Sequence, residues 1–215
     1  MTATEPRSAT APPRRTRRAA RRPGAGARLL GVVAGLVLLG AAVGVQSMDM
    51  AEGELSDPIT YTGAKGENVD AQRFTVRLDS FSAARSVQTS TATLGTDNLF
   101  LIVNASAKSS RKPYHLGQPV LVTADGKRFD ATDRIDRSLT LANTWVQPDI
   151  WVSGRFFFEV PASVLAGAGV VFGLPPAAGP VEPYQPEVEV DLGLDEEGAR
   201  KLAASPQDVF STVRK

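Results

Sequence analysis

Leu99 to Ala107, the stretch LFLIVNASA, decides the fold of this chain. Its apolar side chains fall on both faces of an extended segment: every second residue from Leu99 to Ala105 points one way, and Phe100 and Ile102 point the other way. A strand that is apolar on both faces is covered on both faces. We therefore predict that this segment is a central strand of a sheet.

The segments on either side of this strand share its period of two and are separated by short turns. The Asp125-Gly126 step between two strand-like runs is a typical hairpin signal, and Pro161 ends a Phe-rich run. No stretch between the runs has the length and period of an amphipathic helix, so the pattern predicts an all-β antiparallel sandwich. The further predicted strands are Phe74 to Leu78, Val120 to Thr123, Lys127 to Phe129, Gly154 to Val160 and Gly169 to Gly173.

The order of these segments resembles a known family. The chain contains, in this order, the segments NLFLIVNASAKSS, PVLVTADGKRFDA, GRFFFEVP and GVVFG. This order is similar to that of the immunoglobulin-like domain of unknown function of exported bacterial proteins. It is also similar to that of the mycobacterial secreted immunogenic antigens of the same sandwich type. The matching positions are Asn104, Asp125 with Gly126, and Phe156 to Pro161, which are strand ends and turns. The resemblance covers about half of the chain and implies an immunoglobulin-like β-sandwich that serves as an adhesion or accessory module outside the membrane, without assigned catalysis.

The sandwich is expected to span residues 68–174, which is close to the usual size of one domain. Residues 49–67 are acidic and glycine-containing with little apolar period, and we expect a linker there. Residues 175–215 are predicted to form a Pro-rich spacer and a tail. In this tail, Val188 to Leu192 alternates as an edge strand, Asp195 to Ala204 suits a short helix, and Ser205-Pro206 should open another helical turn that includes Val209 and Phe210.

The N-terminal part carries a membrane-targeting pattern. Residues 1–28 hold eight Arg and one Glu, whereas Leu29 to Met48 carries no charge. Arg-rich flanks stay in the cytoplasm, so we expect a disordered cytoplasmic tail, a transmembrane signal anchor over 29–48, and an extracytoplasmic C-terminal domain. Leu29 to Val45 would cross the lipid bilayer as a helix of about 26 Å. Cleavage after the small residues Ala42 to Gly44 is the alternative, and it would release a secreted protein.

The predicted membrane helix has two pairs of glycines, and the members of each pair are four residues apart. Glycines at this spacing let two helices approach closely in lipid, so a homodimer through this face is one expectation. The basic tail stands directly before the apolar segment, which favours contact with anionic lipid headgroups over binding of nucleic acid. The glycines concerned are Gly31, Gly35, Gly40 and Gly44.

The residues that could carry catalysis or hold a metal are few. His115 is the only His and the chain has no Cys, so neither a Cys-His pair nor a His-based zinc cluster can be assembled. No G-x-S-x-G motif occurs, and His115 is expected in a surface loop. The acids Asp125, Asp130, Asp133 and Asp136 are interleaved with cations and lack the closing Glu of a calcium loop. We therefore expect no enzyme, no cofactor and no metal.

A contact surface is the remaining candidate for function. Trp145 and Trp151 enclose a short loop that also contains Asp149, and one Trp is expected inside the domain with the other partly exposed. We expect this loop to bind an envelope or membrane protein, which makes the chain an anchored module that acts by protein-protein interaction. The alternative is a secreted protein that binds a small ligand or a glycan.

Overall fold

A computed structural model describes residues 57–175 and 182–213 of the chain. The predicted cytoplasmic tail, the transmembrane segment and its glycine pattern lie outside these ranges. Within the described ranges, no helix is both long enough and apolar enough to cross a membrane.

The described residues form an all-β sandwich of two five-stranded sheets with one α-helix. The helix, α1 (Glu196–Ala204), begins at Asp195, whose side chain accepts a hydrogen bond from the Gly198 amide. The strands are β1 (Ile59–Ala64), β2 (Val69–Asp70), β3 (Phe74–Gln88), β4 (Thr93–Ser109), β5 (Val120–Val122), β6 (Arg128–Asp130), β7 (Val152–Val160), β8 (Gly169–Gly173), β9 (Pro186–Asp191) and β10 (Gln207–Ser211). Short 3-10 helices lie at Arg137–Leu139, Leu141–Asn143 and Ala162–Val164.

The first sheet has the strand order β1-β9-β8-β5-β6, and the second has the order β10-β3-β4-β7, with β2 paired to the start of β3. Most neighbours are antiparallel, but β1 runs parallel to β9 and β10 runs parallel to β3. The predicted hairpin is confirmed: β5 and β6 pair about Asp125-Gly126, where Gly126 has a φ of +79° that a glycine adopts without strain.

The main core lies between the two sheets. Apolar residues from β3, β4 and β7 meet those from β5, β8 and β9, and Phe156 contacts Phe172 with ring centroids 5.8 Å apart. A second cluster lies on the outer face of the second sheet, where Ile135, Leu139 and Phe210 pack over it. The prediction from Leu99 to Ala107 is therefore confirmed, because β4 lies between β3 and β7 and is covered on both faces. The covered outer residues are Ala84, Val87, Phe100, Ile102 and Phe157.

Three expectations about the ends of the domain need correction. Residues 59–64 of the expected linker form β1, which pairs with β9 from Ile59↔Pro186 to Ala64↔Asp191. The expected edge strand is therefore internal, because β9 has β1 on one side and β8 on the other. The segment after Ser205 is a strand and not a helical turn. It pairs with the free edge of β3, and the ring centroids of Phe210 and Phe157 lie 6.1 Å apart.

Candidate interaction surface

The loop from Trp145 to Trp151 directly precedes β7 in the sequence and lies beside the end of β4 in space. Backbone hydrogen bonds hold it to the segment after β4: Ser109 donates its amide to the Gln147 carbonyl at 3.0 Å, and the Asp149 amide donates to the Ser109 carbonyl at 3.0 Å. Val146 exchanges two such bonds with Tyr114, at 3.0 and 2.8 Å. Four hydrogen bonds to one neighbouring segment give the loop a defined conformation.

Both Trp side chains of this loop are exposed, which corrects the expectation that one of them is in the core. Trp145 is 55% exposed and Trp151 is 37% exposed, and Ile150 between them is 59% exposed. Val146 is fully buried and takes the interior position that was expected for a Trp. Its side chain faces the core because its backbone is paired with Tyr114, and this pairing turns the neighbouring Trp145 outward.

Two cations from neighbouring strands surround Trp151. The Arg77 guanidinium carbon lies 5.2 Å from a Trp151 ring centroid, and Lys108 Nζ lies 5.7 Å from it. These distances are within the range of a cation-π interaction. Lys108 also pairs with Asp149 at 3.7 Å, and Asp149 adopts a φ of +57°, which is uncommon for a residue other than glycine.

The structure thus brings Trp151 and Asp149 together through Lys108, and it adds Arg77, Lys108 and Ile150 to the predicted site. We call Arg77, Lys108, Trp145, Asp149, Ile150 and Trp151 the Trp surface. The two cations lie 31 residues apart in the sequence, on β3 and β4, where Thr75 pairs with Lys108 and Arg77 pairs with Ser106. Sequence reasoning missed them because the register between these strands, which sets their proximity, leaves no local signal.

His115 packs against Trp145 of the Trp surface. Its ring lies 4.0 Å from that of Trp145, with 46° between the planes. Within the part of the chain that the structure describes, its buried Nδ1 has no hydrogen-bond partner. The expected loop position is confirmed, since His115 lies outside the named helices and strands. The ring serves as a contact for Trp145.

A basic cleft of about 450 Å³ adjoins the same segment. Its lining consists of Gln72, Arg73, Arg111, Lys112, Tyr114 and Glu182. The Arg73 guanidinium forms a two-pronged ion pair with the Glu182 carboxylate, and one of the two hydrogen bonds measures 2.9 Å. This pair raises the pKa of Arg73 and lowers the pKa of Glu182. Lys112 Nζ lies 5.4 Å from the Tyr114 ring centroid.

Two of the four acids after β5, Asp125 and Asp136, take local partners. Hydrogen bonds from Lys127 and Thr123 lower the pKa of Asp125 to about 2, and Asp136 accepts a bond from the Ser138 amide at 2.8 Å. No group of three or more metal-ligating side chains is gathered within residues 57–175 and 182–213.

The fold and this surface define a β-sandwich with an exposed patch of aromatic and cationic side chains. No protein-family model and no curated protein match the sequence. Three solved structures are similar to it at low identity: an uncharacterized beta-sandwich protein from Clostridium difficile 630, the yjhA protein from Bacillus subtilis, and the secreted protein MPT63 from Mycobacterium tuberculosis.

The first of these is 11% identical with a TM-score of 0.38, and the match covers 63% of this chain and 95% of that one. The second is 12% identical with a TM-score of 0.44, covering 60% and 99%. The third is 15% identical with a TM-score of 0.40, covering 63% and 98%. At these scores the β-sandwich assignment rests on the two sheets described above.

Proposed function

We propose that this chain is a membrane-anchored, extracytoplasmic, immunoglobulin-like module that acts by binding another protein of the cell envelope. The observation that carries the proposal is the exposure of Trp145, Ile150 and Trp151 on a loop held by backbone hydrogen bonds. Trp and Arg dominate the binding energy of protein interfaces, and a preformed loop loses little entropy when it binds. No catalytic role is part of this proposal.

The proposed location rests on the N-terminal sequence. The Arg-rich residues 1–28 precede the uncharged stretch from Leu29 to Met48, an order that keeps the N-terminus in the cytoplasm and exports the C-terminal domain. An alkaline phosphatase fusion after Lys215 should be active, whereas a fusion before Arg14 should be inactive. The opposite pattern would refute the location. Recovery of the protein in the membrane fraction after a high-salt wash supports the anchored form over the cleaved one.

The test of binding is site-specific photocrosslinking in intact cells. A benzoylphenylalanine at Ile150 should capture a partner protein, and the same amino acid at Val209 is the matched control, because Val209 is also apolar and about half exposed on β10. The Trp151→Ala variant should weaken capture by about 30-fold, which corresponds to the ~2 kcal/mol of a central interface Trp. Equal capture from both positions would contradict the proposal.

The exposed rings of Trp145 and Trp151 also favour a second candidate, the binding of a glycan or small ligand by a secreted form. A glycan binder would give no protein crosslink from Ile150 but would show tryptophan fluorescence changes with envelope glycans. His115→Ala is unsuitable as a neutral control, because His115 touches Trp145 and its loss should move that ring.

A further inference from the structure

We propose that the basic cleft binds an acidic peptide segment of the partner protein, with a carboxylate of that segment replacing Glu182 on Arg73. The proposal rests on the proposed function, since it names the chemistry of the partner. The cleft adjoins the Trp surface through one short segment: Lys108 belongs to the surface, Arg111 and Lys112 line the cleft, and Tyr114 lines the cleft next to His115. A bound protein could therefore cover both.

The charge of the cleft favours an anion. Three cations face a single carboxylate, because Arg73, Arg111 and Lys112 line the cleft with Glu182. Among the described residues, the ion pairs include Arg73 with Glu182 but none that involves Arg111 or Lys112. The single charge of Glu182 cannot neutralise all three, so the cleft keeps an excess of positive charge for the carboxylates of a ligand.

The backbone holds Arg73 in place before any ligand binds. Its carbonyl accepts the Ser110 amide at 3.0 Å, which ties it to the strand end beside Arg111. Its own amide donates to the Ala71 carbonyl at 2.7 Å, and Ala71 is fully buried. The preceding Gln72 has a φ of +64° and lines the cleft, and its amide donates to Asp70 Oδ1 at 2.8 Å. Strained backbone that the surrounding structure maintains is typical of binding sites.

Glu182 shows which ligand group suits this cation. Its two carboxylate oxygens meet the two terminal nitrogens of Arg73, which is the planar two-pronged geometry that a guanidinium offers to a carboxylate. The side chains of Arg73 and Glu182 are 38% and 48% exposed. Exposed ion pairs contribute little to stability, so an incoming carboxylate can replace Glu182 at low cost. We infer that Glu182 occupies the position of a partner's Asp or Glu and competes with it.

The test measures binding of a fluorescently labelled hexaglutamate peptide to the full chain in neutral detergent micelles, by anisotropy. Glu182→Gln should tighten binding about two- to fivefold, because the internal competitor loses its charge. Glu197→Gln is the matched control: it also removes one negative charge and breaks an exposed ion pair, the 2.7 Å contact with Lys201 on α1. This control should leave the affinity unchanged.

Arg111→Gln should weaken binding of the same peptide about fivefold, and binding should fall with rising salt. Arg128→Gln on β6 is its charge-matched control and should have no effect beyond the error of the assay. Circular dichroism of each variant must match that of the parent chain. The proposal is overturned if hexaglutamate does not bind, if Glu182→Gln and Glu197→Gln act alike, or if Arg111→Gln and Arg128→Gln act alike.

Two further measurements are needed. The first distinguishes an acidic peptide from other anions, and the second distinguishes the cleft proposal from the proposed function. Inorganic phosphate or vesicles with anionic lipid that displace hexaglutamate at equal charge concentration would reject a peptide in favour of a general anion site. Trp151→Ala should leave hexaglutamate affinity unchanged, because Trp151 does not line the cleft. Binding of hexaglutamate without any crosslink from Ile150 would support the cleft and refute the proposed function. A crosslink from Ile150 without hexaglutamate binding would support the proposed function and refute the cleft proposal.

Discussion

Replacing Trp151 with Ala should impair binding while the fold survives, and Phe157 provides the comparison within the same strand region. Trp151 is 37% exposed, whereas Phe157 on β7 is 1% exposed and belongs to the outer cluster of the second sheet. Phe157→Ala removes buried surface and leaves a cavity under Ile135 and Phe210, which should cost about 3 to 5 kcal/mol. Trp151→Ala opens no cavity, because water replaces the ring.

The cost of Trp151→Ala comes mainly from its two cation-π contacts, with Arg77 and Lys108. Each contact contributes about 0.5 to 1 kcal/mol at an exposed site, so we expect the free energy of unfolding to fall by about 1 to 2 kcal/mol. For a domain of this size, that corresponds to a fall in the melting temperature of about 2 to 8 °C, against about 6 to 20 °C for Phe157→Ala.

Thermal and urea unfolding, followed by far-ultraviolet circular dichroism, measure both variants under one condition. A loss for Trp151→Ala as large as that for Phe157→Ala would refute the reasoning, because it would place Trp151 in the core. The site would then lose its main support, since reduced crosslinking by the variant would report unfolding.

Two further predictions concern stability. A hydrogen bond from the Thr96 hydroxyl and the ion pair with Arg134 hold the pKa of Glu159 below its ordinary 4.5. The stability that Glu159 contributes is therefore present above its pKa in the unfolded chain, and it is lost as the pH falls through its pKa in the folded chain. Glu159→Gln should therefore cost about 1 kcal/mol at pH 7 and flatten the loss of stability below pH ~5, as measured by urea unfolding between pH 3 and 7; a parallel pH profile would contradict this. A fragment of residues 57–215 should give a β-type circular dichroism spectrum and a cooperative melt, whereas residues 68–192 lack β1, α1 and β10 and should melt lower and associate through the uncovered edge of β9. Equal melting temperatures of the two fragments would show that β1, α1 and β10 contribute nothing to stability.

Local sequence predicted those elements whose signals are short in range. Leu99 to Ala107 is apolar on both faces and became the covered strand β4. Asp125-Gly126 predicted the tight hairpin, in which Gly126 has a positive φ. Asp195 to Ala204 predicted the short helix that became α1, and the structure shows Asp195 as its cap. Each signal depends on residues within a few positions of one another, so a single sequence contains it in full.

Local sequence was misleading where a distant strand decided the outcome. Ser205-Pro206 has the composition of a helix start, but the edge of β3 offers unpaired backbone groups, and Val209 and Phe210 suit a strand. Residues 59–64 have little apolar period because β1 is an edge strand with mostly exposed side chains, and its partner β9 lies 127 residues further along the chain at Ile59↔Pro186. At both ends of the domain, pairing with a distant strand decided the structure, and the local sequence pattern did not.

The sequence by itself determined the all-β class, the two-residue period of the strands, the hairpin and the short helix, because backbone preferences and side-chain alternation act over neighbouring residues. Only the tertiary structure decided the strand order, the exposure of both Trp side chains, and the meeting of Trp151 with Arg77 and Lys108. These features depend on the register between β3 and β4 and on the pairing of Val146 with Tyr114. Such pairings become favourable only when the whole core forms, and no short stretch of the chain encodes them.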